Sequence, residues 1–489
     1  MAEAADSSDP KITQRNNKPL SAGDKLWQLL PNEPMTRRRA LSTMGKAAIG
    51  AAAVVVVGGV GYYALTSQTT APTTTTTPAG ATKPVSLLTQ DEPLTNALLK
   101  IDAAQAPSAI GVQLNPTQEP FNQMAPTLTA MSAGGNIPFD IVSIAHDQAG
   151  PYVPYFRSLD DLIDKNHADL SVFTPALVEQ LYKRDKTTGR FGTGNHLGIP
   201  YISAPWGLLY NSQLFKQAGL TDSKGNATPP DSWDKFVQYM KELTKPPQQY
   251  GLAASYSVWW NPAWMHTSYV STNGGSVLDS NYRPKINDAL NVQAVQFWSD
   301  AVNVEKYAQP TAITTDDAGL TGLYNSGGAA GYIYWFTTVI SSANDPTQSK
   351  VVGQSSAAAL PGGKVPAGGW AHFMPQTETN ADAAFKYMMW ESTNEVQGAL
   401  NTGDLSFVRT ASFNDPSVVA KYPYSPAVGQ IAANGYAEPS FDIAQGSQLW
   451  TAYLKHFQDV VSGAAKAQAA MDACFSDWDG ILKKAGYYQ

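Results

Sequence analysis

Of 489 residues a single one is cysteine, Cys474, so no intrachain disulfide can brace this fold and its core must hold it. Cations are outnumbered: 33 Lys and Arg against 40 Asp and Glu leave a formal charge of −7, with no basic excess to grip nucleic-acid phosphates. Catalytic signatures are missing too. The chain has no G-x-S-x-G elbow and no H-E-x-x-H pair, and its six histidines (146, 167, 196, 266, 372 and 456) lack ligand spacing, so no metal or other cofactor is expected. GTGNHLG (192–198) misplaces the third glycine of a dinucleotide fingerprint. NSGGAAG and PGGK lack the Gly-Lys-Ser/Thr of a phosphate loop, so ATP hydrolysis is not expected on this chain. Carboxylates distant in sequence can still meet in space, which keeps glycoside hydrolysis open.

Long apolar runs are also scarce; there is one. Ala47 to Leu65 is nineteen residues without a charge. About 20 helical residues cross a ~30 Å hydrocarbon core, so this run predicts a spanning or signal helix. Arg37, Arg38, Arg39 and Lys46 precede it, and cations stay on the cytoplasmic side, which puts the chain beyond Leu65 outside. Thr36-Arg37-Arg38-Arg39-Ala40-Leu41 also resembles a twin-arginine export signal, with residues 1–35 as its polar leader. Ala64-Leu65-Thr66 is a poor small-x-small cleavage site and Cys474 stands too late for lipid attachment. An uncleaved anchor is therefore favoured over a removed signal with release. Residues 66–84 hold nine threonines and three prolines, a composition that builds no core and reads as an extended stalk, a candidate for glycosylation. At ~3.1 Å per residue it would reach roughly 60 Å. The expected organisation is a leader (1–35), a basic flank with the apolar helix (36–65), the stalk (66–84) and a body of residues 85–489.

The body alternates strand-like and helical windows. PVSLLTQ (84–90), IGVQLN (110–115) and FDIVSIA (139–145) read as strands, and PFNQMAPTLTAMSAGG between the last two reads as a helix ending in glycines. GIPYISAPWGLLYNSQLFKQAGL (198–220) leads from strand into a helix that stops at Gly219. Pro229-Pro230-Asp231-Ser232 precedes Trp233, Phe236, Val237, Met240 and Leu243, a cap followed by an apolar stripe. The alternation predicts α/β layers with mainly parallel sheets, which place ligands at the carboxyl ends of their strands. Asn226-Ala227-Thr228 is an N-glycosylation sequon whose alternative is chance occurrence.

These segments carry a resemblance. LYNSQLFKQAGLTD and TPPDSWDKFVQYMKELT resemble the tyrosine-asparagine and proline-proline-tryptophan helices of family-1 extracellular solute-binding proteins of the maltodextrin-binding type. FDIVSIAHDQAGPY resembles the strand and loop that present Ala-His-Asp to sugar there. GLYNSGGAAGYIYWF and LPGGKVPAGGWAHF are similar to its glycine-alanine strand and glycine-tryptophan segment. AAFKYMMWESTNEVQGAL and LWTAYLKHFQDVVSGAAKAQAAMDA resemble its two C-terminal helical segments. The resemblance implies two α/β lobes joined by crossing segments and a hinge (a type II periplasmic-binding-protein-like fold), ligand in the cleft, no enzymatic turnover, and delivery to a separate ABC permease driven by a separate ATPase. Two departures, Ala204 near a family glutamate and Ile144 in place of an aromatic, mean that the same ligand cannot be assumed.

A sugar offers apolar C–H faces and in-plane hydroxyls, so its site needs aromatic plates and carboxylate or amide partners. Asp147 stands where the resemblance puts a hydroxyl-binding carboxylate, the alternative being an Asx-turn or helix cap; Glu92 shares the chemistry in weaker register. Trp260, Trp264, Trp335, Trp370 and Trp450 are the candidate plates, the alternative for each being a place in the core. Rival readings are a tethered binding protein for a polyamine, phosphate ester or peptide, and a cell-surface carbohydrate-active enzyme.

Overall fold

The computed structural model describes residues 83–186 and 190–488. The expected leader, apolar helix and nearly all of the stalk lie outside the described residues. No helix among the described residues is long and apolar enough to cross a membrane.

Among the described residues eleven strands are formed. Val85–Gln90 (β1), Leu114–Glu119 (β2), Ile141–Ala145 (β3), Gly198–Ser203 (β6) and Gly369–Phe373 (β11) form one sheet in the order β2-β1-β3-β11-β6. Trp206–Asn211 (β7), Tyr250–Ala253 (β8), Ala329–Trp335 (β9) and Ser355–Ala358 (β10) form a second in the order β10-β7-β9-β8. Lys183–Arg184 (β4) and Asn195–His196 (β5) make a small ladder. The strand expected over 110–115 begins later: Ile110 ends a helix, and the paired segment is LNPTQE. That polar strand is mostly exposed and pairs with β1 alone, so it sits at an edge, where Pro116 leaves no central ladder bond unmade.

The sheets are mixed, which corrects the expectation of mainly parallel ones. β1 runs parallel to β2 and β3, but β11 is antiparallel to β3 and β6. In the second sheet β8 and β9 are parallel, while β7 is antiparallel to both β9 and β10. The cause is the path of the chain. It leaves the first sheet after Ser203, builds the second, and re-enters the first from the opposite end at Gly369.

Each sheet has its own buried cluster. Leu87, Ile141, Phe156, Phe373 and Tyr387 belong to that of the first; Trp206, Leu252, Trp298, Tyr332 and Trp450 to that of the second. Only Ala204 and Pro205 separate β6 from β7, and residues 359–368 carry the chain back. A third passage runs through Phe407, which packs with the second cluster, and Val408, which packs with the first. The three passages are stitched together: the Ser203 N–H donates to the Ser406 carbonyl at 2.9 Å, and the Ala204 N–H to the Gly368 carbonyl at 2.8 Å.

Local signals behave as their chemistry dictates. Ser232 accepts from the Lys235 N–H at 3.2 Å and starts the Trp233–Glu242 helix, whose Phe236 and Met240 are buried. Such a cap contributes about 1 kcal/mol. Asn211 caps the Ser212–Gln217 helix, and Gly219 follows it at φ 76°, a left-handed conformation natural to glycine.

Candidate binding cavity

A cavity of about 460 Å³ lies between the two sheets. From the first sheet, β3 ends at Ala145 and its next residues, His146, Asp147 and Gln148, form part of one wall. Trp370 of β11 sits opposite Ala145 in the strand register and joins that wall. From the second sheet come Tyr334 and Trp335 at the end of β9, and Trp259 and Trp260 just after β8, with Trp264 one turn further along the Trp260–Thr272 helix. Asp317, the first residue of the Asp317–Asn325 helix, completes the wall. The carboxyl ends of β3, β8 and β9 thus converge on the cavity, as expected of α/β sheets.

Five of the seven sequence candidates meet here: Asp147, Trp260, Trp264, Trp335 and Trp370. Two stand elsewhere. Glu92 caps the Pro93–Ala109 helix, accepting from the Thr95 N–H at 2.8 Å and the Thr95 hydroxyl at 2.6 Å. Trp450 is fully buried, and its Nε1 donates to the Ser440 carbonyl at 3.1 Å. It reaches the cavity only through intermediaries: its ring lies 5.1 Å from Phe441, which stacks at 5.1 Å on Trp264. Asn226 stands in an exposed turn, its Nδ2 donating to Asp222 at 3.1 Å.

The aromatic wall is braced. Trp335 lies 4.8 Å from Trp206 and 5.0 Å from Trp264, edge to face in both cases. Such pairs contribute roughly 0.5–1.5 kcal/mol each beyond area burial, so the plates are held before any ligand arrives. Trp335, Trp370 and Trp260 remain half-buried, with ring surface still to cover.

The polar groups divide into satisfied and unsatisfied. His146 is buried and its Nδ1 meets Asp442 Oδ1 at 2.5 Å. Burial opposes its charge, but the Asp442 and Asp147 carboxylates outweigh that and raise its pKa. Asp147 is raised as well, chiefly by burial; His146 pulls it down and Asp442 pushes it up. Asp317 accepts from Trp260 Nε1 at 3.0 Å through Oδ2. Burial raises its pKa, against which Trp260 and the nearby Tyr334 hydroxyl favour the charged form; its Oδ1 makes no hydrogen bond of its own. Gln148 Oε1 and Trp370 Nε1 are likewise buried and unpartnered. No lysine or arginine lines the cavity among the described residues, and the one histidine is matched by Asp442. The described residues hold no cluster of three or more His, Cys, Asp or Glu that could bind a metal.

Sequence reasoning missed Trp259, Tyr334, Gln148 and Asp317. Tyr334 and Trp259 adjoin residues that were identified, so proximity was a usable signal. Asp317 had none, since Asp316-Asp317 reads as a helix start, and Asp316 does cap that helix by accepting from the Gly319 N–H at 2.8 Å.

A family model for bacterial extracellular solute-binding proteins matches residues 105–398, and the chain belongs to that family. Members bind solutes outside the cytoplasm for ABC transporters. Among curated relatives, a probable amino-acid ABC transporter periplasmic-binding protein of Sinorhizobium fredii is 20% identical over 392 residues, 78% of this chain and 85% of its own. A solute-binding protein of Agrobacterium radiobacter, solved with ribitol, superposes with a TM-score of 0.67 at 24% identity, covering 82% of this chain and 100% of that one. The sugar-binding protein MalE of Xanthomonas citri superposes at 0.70 with 16% identity, covering 82% and 98%. At these identities the likeness establishes the fold.

Proposed function

We propose that this protein is an extracytoplasmic receptor that captures a sugar, with an oligosaccharide as the first expectation, and delivers it to an ABC permease without chemical turnover. The observation that carries this reading is the cavity itself. Tryptophans from both sheets supply rings suited to pyranose C–H surfaces, and the carboxylates of Asp147, after β3, and Asp317, at a helix start, suit hydroxyls. A volume of about 460 Å³ falls within the ~300–1,000 Å³ usual for ligand pockets. Structural neighbours have been solved with ribitol, maltose and D-mannitol bound, which supports the same class. Because the walls come from two sheets linked by short stitched passages, a ligand touching both favours the state in which they approach. It shifts that equilibrium by its differential affinity.

An amino-acid cargo is the second reading, since the Sinorhizobium relative is a probable amino-acid ABC transporter periplasmic-binding protein. An α-carboxylate needs a cationic or N–H-rich anchor, and the described lining offers two carboxylates with no lysine or arginine, so sugar is preferred. A saccharide and amino-acid panel tests this. A saturable thermal shift with a saccharide and no release of reducing ends is expected, whereas reducing ends would mean an enzyme and a response confined to amino acids would reverse the preference.

The residue 47–65 run we assign as a retained anchor, with the threonine stalk holding the receptor near its permease and raising effective concentration. Protease on intact cells should release a body starting within the stalk; free protein starting near Thr66 without protease would mean a cleaved signal.

A further inference from the structure

The polar residues of the cavity wall say more about the cargo than its shape does. Asp317 is fixed from behind: Trp260 Nε1 donates to Oδ2 at 3.0 Å and directs the carboxylate, the Tyr334 hydroxyl lies close beside it, and Oδ1 is buried with no hydrogen bond of its own. Gln148 Oε1 is a second unpartnered acceptor, and Trp370 Nε1 an unpartnered donor. All three residues line the cavity, so a ligand seated there lies beside a carboxylate, an amide and an indole N–H. The groups asked for are two donors and an acceptor, flanked by ring faces. Adjacent hydroxyls on a carbon chain or ring provide them, since each hydroxyl can donate and accept.

Charge narrows the choice. Asp147, just after β3, and Asp317, at the start of a helix packed on the second sheet, line the same cavity, and the one cationic candidate, His146, is bonded to Asp442. A phosphate or carboxylate on the ligand would meet acidic oxygens with no guanidinium or ammonium to receive it.

We propose that Asp317, oriented by Trp260, is a second hydroxyl-binding carboxylate facing Asp147 across the cavity. On this assignment the site takes an uncharged polyhydroxylated ligand and rejects the sugar acid and sugar phosphate built on the same carbon skeleton. This rests on the sugar reading above and sharpens it.

The experiment is calorimetric titration of the full-length chain with ribitol, D-mannitol, maltose and maltotriose. The tightest binder is then compared with its carboxylate and phosphate counterparts. Asp317→Asn keeps the shape and one acceptor oxygen but turns the other into a donor. It should weaken the tightest probe by roughly tenfold or more, in line with a lost charge-assisted hydrogen bond. Trp260→Phe keeps a ring face but removes the N–H that orients Asp317, and should weaken it as well; this variant reads the same relationship without touching the carboxylate. The charged counterparts should bind the parent at least tenfold more weakly than the neutral probe. If the parent binds a neutral probe but Asp317→Asn and Trp260→Phe bind it equally well, Asp317 is not a contact and the inference falls while the sugar reading stands. Equal affinity for charged and neutral forms overturns it too. A parent that binds none of the four sugars and polyols removes the sugar reading and this inference together.

Discussion

His146 and Asp442 meet at 2.5 Å across 296 positions of chain, both buried, and tie the turn after β3 to the segment before the Gly446–Val461 helix. The contact lies just behind the cavity, one residue from Asp147. Removing one partner of a buried ion pair leaves the other charge uncompensated, which typically costs about 3–5 kcal/mol. Asp442→Ala is therefore expected to lower unfolding free energy by that order in a denaturant titration. The pH dependence has a definite sign. His146 is raised in the folded state, so the pair contributes fully below the unfolded histidine value of about 6.5 and is lost as pH rises through the higher folded value. The Asp442→Ala penalty should thus be larger at pH 6 than at pH 9. An equal penalty at both would mean that the pair is not ionic.

A second buried network lies in the core of the first sheet. The Tyr387 hydroxyl stands 2.9 Å from Asp102 and 2.8 Å from Glu391, yet it has one proton to give. At least one of the two carboxyls must therefore be protonated and donate back. Asp102 fits that role: burial, reinforced by the charge of Glu391, pushes its pKa up to about 8. Unfolded, it would ionise near 3.9, so the folded state holds an extra proton between about pH 4 and 8, and stability falls as pH rises across that window. His266, pushed down to about 4 by burial, works in the opposite sense, but only below about 6.5. Asp102→Asn should therefore lose less melting temperature than the parent between pH 6.5 and 8. Parallel curves would refute the shared proton.

Glu92 and Asp147 look alike in sequence, each a carboxylate just past a strand. What separates them was nevertheless written nearby. Pro93 follows Glu92 and Thr95 stands three residues on, which is the start of a helix, and a capping carboxylate belongs there. Trp450 was legible in the same way. Tyr453 and Phe457 recur three and seven residues later, placing it on the buried stripe of its helix. The strand ends carrying Asp147, Trp335 and Trp370 could be read because strand direction dictates where they point. Asp317 could not, because only the packing of its helix beside Trp260 turns an ordinary helix start into a cavity wall. The mixed sheets were hidden for the same reason, since the return of the chain at Gly369 is a tertiary event.

Trp335 and Trp450 should separate binding from folding. Trp335 is half-buried with ring surface facing the cavity, so Trp335→Ala should cost roughly 1–3 kcal/mol of affinity, about five- to 150-fold, for the tightest saccharide. Trp450 is wholly enclosed, and Trp450→Ala should cost about 3–5 kcal/mol of stability as a core cavity opens. Trp450→Phe, which keeps most of the packing, should melt closer to the parent and bind nearly as well. Calorimetry and thermal melting together read both; a large affinity loss in Trp450→Phe at near-parent stability would restore a direct contact.

Gly368 ends the passage between the sheets and backs onto two residues of the cavity wall, Trp264 and His146. Its carbonyl receives the Ala204 N–H, and a β-carbon placed on it would come within 2.8 Å of Trp264 Cη2 and 3.2 Å of His146 Nε2. Neither neighbour can retreat freely. Trp264 is 1% exposed and packed against Trp206, Trp335 and Phe441, while His146 is held by Asp442. Overpacking of this kind costs about 1–3 kcal/mol, and the displaced groups are the ones that shape the cavity. Gly368→Ala is therefore expected to lower the melting temperature and weaken saccharide binding together. Relief should come from trimming the obstruction, so Trp264→Phe in the Gly368→Ala background should recover stability beyond what the two single changes add up to. Strict additivity would mean that the methyl group and the indole do not collide, and that this glycine is not held small by the wall it touches.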